Sequence, residues 1–359
     1  MATENLTGHL NLRDYAKTLN RDGTLAVAVE EYAHHTTLAG ILPITAATEK
    51  DRDTGYFRDT WQYGKHSSLA DLTNGPTPTK HTRYEREDTM GYRESAIGFS
   101  RKQMEYAGSG WANLVADEVS QHVRDLALDV EHDMFWGDPR EDDRNMLGLM
   151  PRFGVLTDID GKILSGDNAG MISPYKCYNG GDLTRVGGSA TTEASSGALG
   201  SILIVHPSVT DGVCLIYPKD AVNAGFQYSE GEFTRMNYDN GVLDYRYDTF
   251  SVMEGISVRN RGAVVRIANI DYTSDEGIEA MMRALYDAVD GMPDGLRGGN
   301  HVYCPRHVLP AILWYFNTHK YATSASGAYP EGIGGGVVVA GFGEFHTCEH
   351  LTVNEEYIS

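Results

Sequence analysis

Cysteine is scarce in this chain: Cys177, Cys214, Cys304 and Cys348 are the four among 359 residues. Their wide separation supports neither a disulfide framework nor a paired CxxC metal site, so reduced thiols inside the core are expected. No apolar run reaches the roughly eighteen residues that span a bilayer, and the stretch from Met1 to Lys17 lacks the apolar segment of a secretory signal. The expectation is a soluble chain made in the cytoplasm, with no membrane partner. Basic side chains are also few, 30 Lys and Arg against 50 Asp and Glu, for a formal charge of −20. That balance disfavours a tight grip on phosphates, so nucleic acid near this chain would be confined rather than held. Missing too are a GxSxG elbow, an HExxH helix and a GxxxxGK[ST] phosphate loop.

Hydrophobic residues make up 41% of the sequence, enough for a sizeable core. The 40 glycines stand above the usual share of about 7% and favour an irregular α+β chain over a helical bundle.

Two short helical signals open the chain, Leu12 to Leu19 and a stretch after Thr24 with Leu25, Val29 and Tyr32 on one face, separated by Arg21-Asp22-Gly23. Beyond Leu42-Pro43 the next fifty or so residues are charged, aromatic and poor in aliphatic side chains. Tyr56 to Tyr63 and His81 to Ser100 read as two strands of a long hairpin, connected through Asn74-Gly75-Pro76-Thr77-Pro78. Such an arm is marginal alone and is stabilised by lying on another surface.

From Trp111 to Phe135 there is neither Gly nor Pro, and Val115, Val119, Val123, Leu126, Val130 and Met134 recur every three or four residues. This predicts one amphipathic helix of roughly 35 Å, stopped by Gly137-Asp138-Pro139. The remainder reads mostly as strands: Gly154–Thr157 and Lys162–Leu164 around an Asp-Gly turn, then Ile202–His206, Val213–Tyr217, Tyr245–Val252, Ile256–Asn260 and Ala263–Ile270. Helices are expected at Ile278–Val289 and Val308–Asn317, and closing strands at Val337–Ala340 and Phe345–Val353. A Gly/Ser/Thr-rich piece between Cys177 and Ser201 reads as a surface loop or a junction.

Several local patterns suggest chemistry, and each has a plainer reading. His346, Cys348 and His350 alternate along one strand and would share a face, as a metal triad or as coincidence. Gly332 to Val337 has the glycines of a dinucleotide loop, but a strand follows where a helix is required. Asp158-Ile159-Asp160-Gly161 has calcium-loop residue types, but its glycine comes too early and a hairpin turn explains it. His34-His35 and Glu131-His132-Asp133 place titratable groups on helices, where solvated and capping roles are common. No catalytic, cofactor or metal residue is therefore assigned.

In order, the chain offers a helical start, a charged β-arm, a long helix, then Asp133-Met134-Phe135-Trp136-Gly137-Asp138-Pro139 leading to Leu147-Gly148-Leu149-Met150-Pro151-Arg152-Phe153. With the strand Arg259 to Asp271, the helix around Met281-Met282-Arg283-Ala284-Leu285, and Asn300 to Arg306, this order resembles the major capsid proteins of tailed bacteriophages. The resemblance runs from about Thr24 to the C-terminus.

It implies an α+β chain of the Hong Kong 97-like capsid fold. The parts would be an N-terminal arm (residues 1–43), an extended β-hairpin E-loop (44–100) and a peripheral domain (101–200) with its spine helix at 111–135. A mainly axial domain (201–335) and strands returning to the peripheral domain (336–359) would complete it. It implies further that the protein is not an enzyme and that it assembles with itself, as pentamers and hexamers, into an icosahedral shell around double-stranded DNA. Tyr56, Phe57, Trp61 and Tyr63 would be inter-subunit contacts of the E-loop. A separate scaffolding protein and a portal are the expected partners, the virion capsid the expected location, and the host bacterial cytoplasm the place of assembly. The packaged DNA would be confined with no sequence-specific binding. An encapsulin-type nanocompartment shell is the alternative, and a metal-dependent α+β enzyme built on His346, Cys348 and His350 a more distant one.

Overall fold

A computed structural model describes residues 11–12, 24–56, 85–158, 160–171, 173, 175–181, 199–238, 241–318, 337–339, 342–351, 355 and 358. The expected helix beyond Leu12, the Asn74 to Pro78 turn, most of the Gly/Ser/Thr-rich piece and Gly332 to Gly336 lie outside these residues.

The first helix, α1 (Thr24–His35), turns Val29 and Tyr32 into the core as its spacing predicts, while Val27 faces solvent. A short α2 (Arg101–Ala107) begins at Ser100, whose hydroxyl accepts from the Gln103 amide while the Gln103 side chain accepts from the Ser100 amide. This reciprocal cap satisfies two otherwise unpaired donors. The long helix α3 (Trp111–Trp136) follows after one tight turn and buries Val119, Val123, Leu126, Val130 and Met134, five of the six stripe residues. It packs against α1 and the third strand.

The stop of α3 is a backbone crossing. The Gly137 amide donates to Asp133 O at 2.8 Å, Gly148 to Gly137 O at 2.8 Å, and Leu149 to Met134 O at 2.9 Å. A Cβ at Gly148 would lie 2.8 Å from both Asp133 O and Phe135 O, and one at Gly137 would lie 2.5 Å from Asp133 O. Only glycine lets the two segments approach this closely. The spacing of Gly137 and Gly148 seen in the sequence thus has a steric cause.

Among the described residues the strands form two sheets. The first comprises β1 (Ile44–Ala46), β2 (Arg52–Tyr56), β3 (Glu85–Ser100), β6 (Val213–Tyr217) and β9 (Gly241–Val258), in the order β1-β6-β9-β3-β2. Two further strands, β7 (Phe226–Ser229) and β8 (Thr234–Tyr238), run along β9. The second sheet has the order β12-β13-β11-β5-β10-β4. Its strands are β4 (Lys176–Asn179), β5 (Leu199–Val205), β10 (Val264–Asp271), β11 (His301–Pro305), β12 (Val337–Val339) and β13 (Gly343–Cys348). Helix α4 (Asp275–Asp290) lies on β10, and α5 (Val308–Thr318) contacts α4 and β11. One hydrophobic core runs from α1 and α3 through both sheets to α4. This is the α+β chain expected from its glycine content and strand pattern.

Three details differ from the sequence reading. The segments 245–252 and 256–260 form one continuous strand, β9. The Asp-Gly hairpin shrinks to a single bridge between Thr157 and Ile163, with Gly161 at φ +81°. The loop expected from Cys177 to Ser201 begins and ends in strand, because β4 pairs parallel to β10 and β5 starts at Leu199. All four cysteines are buried and free, and burial raises every thiol: Cys177 and Cys304 to about 12, Cys214 to about 11, and Cys348 further still.

Candidate assembly site

Strand β3 belongs to two surroundings in turn. From Met90 to Ser100 it pairs antiparallel with β9, over Gly255 to Tyr245. From Glu85 to Thr89 its partner is β2, on its other edge. The strand therefore changes partner at Met90, and its outer half forms a two-stranded arm with β2 at the edge of the sheet. Within the sheet its side chains alternate: Ile97 and Phe99 enter the core, while Tyr92, Glu94, Ala96 and Gly98 face out.

The arm carries little apolar material, and its root is instead a buried ionic network. Register places Asp53 of β2 opposite Asp88 of β3, two carboxylates that would repel if left alone. Arg86 bridges them, at 2.8 Å to Asp53 and 2.8 Å to Asp88. Arg152, from the turn after α3, holds the other Asp88 oxygen at 2.7 Å and donates to the carbonyls of Leu147, Gly148 and Ile256. On the far side the Ser257 hydroxyl donates to Asp53 at 2.7 Å, and the Val258 amide donates to Asp88 at 3.1 Å. Both carboxylates are essentially inaccessible. Burial alone would raise the Asp53 carboxyl, but Ser257, Arg86 and Arg259 more than offset it and leave it below its ordinary value. Arg152 is likewise kept charged, because Asp88 and Tyr175 outweigh its burial. The network ties arm, sheet and the Gly148 turn together.

At the outer end of β2 stands Tyr56, 55% exposed and opposite Glu85. Phe57, Trp61 and Tyr63 fall outside the described residues. Sequence reasoning missed Asp53, Arg86, Asp88 and Ser257, and met Arg152 only as a residue of the Leu147 to Phe153 segment. The one legible signal was Arg86-x-Asp88, an opposite-charge pair on one strand face.

Two buried acids join α1 and α3 to the sheet side. Glu131 of α3 accepts from the Thr37 and Leu38 amides at 2.6 and 2.9 Å, which caps the turn after α1. Glu254 on β9 takes the Tyr32 hydroxyl at 3.0 Å; burial raises its carboxyl to about 8, against the smaller opposing effect of that hydrogen bond. Asp133 pairs with Arg93 at 2.5 Å, yet burial still raises its carboxyl. His35 sits on Glu31 one turn earlier, and His132 is largely solvated. The Asp158 carboxylate accepts from the Lys162 amide at 2.8 Å, as a turn residue does.

His346, Cys348 and His350 are not brought together as a triad. Strand β13 ends at Cys348, whose thiol is buried, and His350 lies in the following turn with its ring on His132 and near Glu131. His346 meets His301 of β11 instead, at 2.9 Å. Among the described residues no helix is long and apolar enough to cross a membrane.

Residues 182–358 match the family model described as Major capsid protein GP7. A search of curated proteins finds no match. In fold, the chain is similar to a chain of bacteriophage Epsilon15, with a TM-score of 0.51 at 14% identity, covering 88% of this chain and 87% of that one. The bacteriophage JBD30 capsid aligns over 88% and 90% of the two chains at 12% identity and a TM-score of 0.46. The SrpI encapsulin complex of Synechococcus elongatus PCC 7942 aligns over 66% and 88% at 11% identity and a TM-score of 0.37.

Proposed function

We propose that this chain, a major capsid protein of the tailed bacteriophages with the Hong Kong 97-like fold, assembles with itself as pentamers and hexamers into the icosahedral shell that encloses phage double-stranded DNA. The observation that carries this reading is the β2–β3 arm, which begins where β3 changes partner at Met90, has almost no apolar core and is rooted in a buried ionic network. An arm so built gains its remaining stability by lying on a neighbouring subunit. Residues 44–100 act as the E-loop, with Tyr56, Phe57, Trp61 and Tyr63 touching the neighbour. Residues 101–200 and 336–359 form the peripheral domain around the 111–135 spine, residues 201–335 are mainly axial, and residues 1–43 are the N-terminal arm. Many weak contacts repeated around the symmetry axes sum to a stable particle.

A separate scaffolding protein and a portal complete the assembly, which takes place in the host bacterial cytoplasm and ends in the virion. Catalysis has no place in this role. The charge of −20 repels packed DNA from the wall and leaves it free to exit, a reading that a strongly basic inner surface would overturn. Electron microscopy of the purified protein, alone and with co-expressed phage partners, tests the whole. Shells, pentamers or hexamers are expected, and absorbance of packaged nucleic acid separates a capsid from an encapsulin-type compartment. A particle that stays monomeric or dimeric under all conditions would overturn the reading.

A further inference from the structure

We infer that His301, Glu344 and His346 form a binding site for a first-row divalent metal ion of the zinc class, which fastens the C-terminal strand β13 to β11.

The parallel register of the two strands creates the site. His301 pairs with Glu344 and Tyr303 with His346, so these side chains emerge on one face of the sheet. The entry of β13 is held close: the Glu344 amide donates to Asn300 O at 3.0 Å, and Gly343 adopts φ +113° where a Cβ would strike that same carbonyl. Because β11 is itself flanked by β5 and β13, the donor atoms stand on interior strands rather than on a loop.

The geometry of the donor atoms is specific. His301 Nδ1 and His346 Nε2 are 2.9 Å apart, and Glu344 Oε2 lies 3.7 Å from the first and 4.0 Å from the second. A triangle with those sides has a circumscribed radius of about 2.1 Å, which is the usual length of a zinc–imidazole or zinc–carboxylate bond. One point therefore sits at bonding distance from all three atoms, and a turn of the two rings aims their lone pairs at it. Two imidazole nitrogens and one carboxylate oxygen suit zinc and its first-row neighbours and do not suit magnesium, which prefers an all-oxygen octahedron. His346 is almost fully buried, whereas Glu344 is partly exposed and leaves a path for the ion and room for water as a further ligand. Without an ion, one of the two facing nitrogens carries the proton of the His301–His346 hydrogen bond. On binding, that proton moves to the same ring's other nitrogen and its lone pair turns to the metal.

The test is calorimetric titration of zinc chloride into chelator-stripped, purified full-length protein, with magnesium chloride as the comparison ion. We expect saturation at one zinc per chain, a raised unfolding temperature, and neither effect with magnesium. Glu344→Gln and His301→Gln, prepared separately, should each weaken zinc binding by at least about tenfold, no less than the loss of an outer-shell partner costs. Zinc absorption spectroscopy of the unmodified protein should show two imidazoles and no sulfur. Absence of saturable zinc binding, full affinity in the variants, or sulfur in the coordination shell would each overturn the assignment. None of these outcomes bears on whether the chain builds a shell.

Discussion

Replacing Glu254 with Gln should make the stability of this protein less sensitive to pH. Glu254 is buried between β9 and α1, and burial raises its carboxyl from 4.5 to about 8. Below pH 4.5 the folded and unfolded chains both hold the proton. Between 4.5 and about 8 the folded chain keeps it while the unfolded chain releases it, so rising pH favours unfolding. Above 8 both are ionised and the full cost is present. Each pH unit in this window is worth about 1.4 kcal/mol, so at pH 7 the burden is about 3 kcal/mol. The Glu254→Gln variant has nothing to ionise, and its amide oxygen can still accept from the Tyr32 hydroxyl. Urea unfolding at pH 5, 6, 7 and 8 should show the variant gaining on the parent by about 1.4 kcal/mol per unit. Any constant offset from imperfect packing drops out of that slope. Parallel curves across the four pH values would refute the assignment of a protonated, buried Glu254.

Three further expectations concern the arm and the helix stop. Arg152→Met leaves the buried Asp88 carboxylate with only Arg86 and the Val258 amide, and should cost about 2–3 kcal/mol by urea unfolding, with part of the loss recovered in the double variant that adds Asp88→Asn. Gly148→Ala drives a methyl against two backbone carbonyls and should cost about 1–3 kcal/mol, whereas Gly154→Ala, in open space, should stay within about 0.5 kcal/mol. Tyr56→Ala at an exposed position should leave the unfolding midpoint unchanged within about 0.5 kcal/mol while slowing shell formation followed by light scattering; unchanged assembly would remove Tyr56 from the contact.

The long helix was readable because its apolar stripe, its freedom from Gly and Pro and its Gly137 stop all point the same way. Strand β6 was readable because Val213 to Tyr217 is wholly apolar and nearly all buried. Strand β2 was not, since Arg-Asp-Thr-Gly-Tyr shows no alternation of apolar residues and holds its place through ion pairs to distant partners. The gap read between residues 252 and 256 vanished for a related reason. Glu254 resembles a strand breaker only while it is imagined charged, and Gly255 is needed because a Cβ there would meet Thr89 O at 2.8 Å. The family resemblance rested on the order of weak motifs, which survives in the fold. The contact residues proposed for the arm rest on that resemblance, with Tyr56 alone among the described residues. The alternation of His346, Cys348 and His350 is the coincidence it was weighed against, because the strand ends at Cys348 and His350 falls in the turn beyond it. His301 lies 45 residues before His346, a pairing visible only once β11 and β13 are aligned.

The four sealed thiols give this protein an unusual chemical silence. Thiolates, not thiols, attack maleimides and disulfides, and every native cysteine is both out of reach and poorly ionised at neutral pH. A cysteine introduced at position 56 would then be the one reactive handle on each folded subunit, so a fluorophore or a heavy atom could be placed on the arm without removing any native residue from the core. In any preparation of this protein, the same silence turns thiol reagents into a census of damage, since label found at Cys177, Cys214, Cys304 or Cys348 can only have come from a chain that has opened.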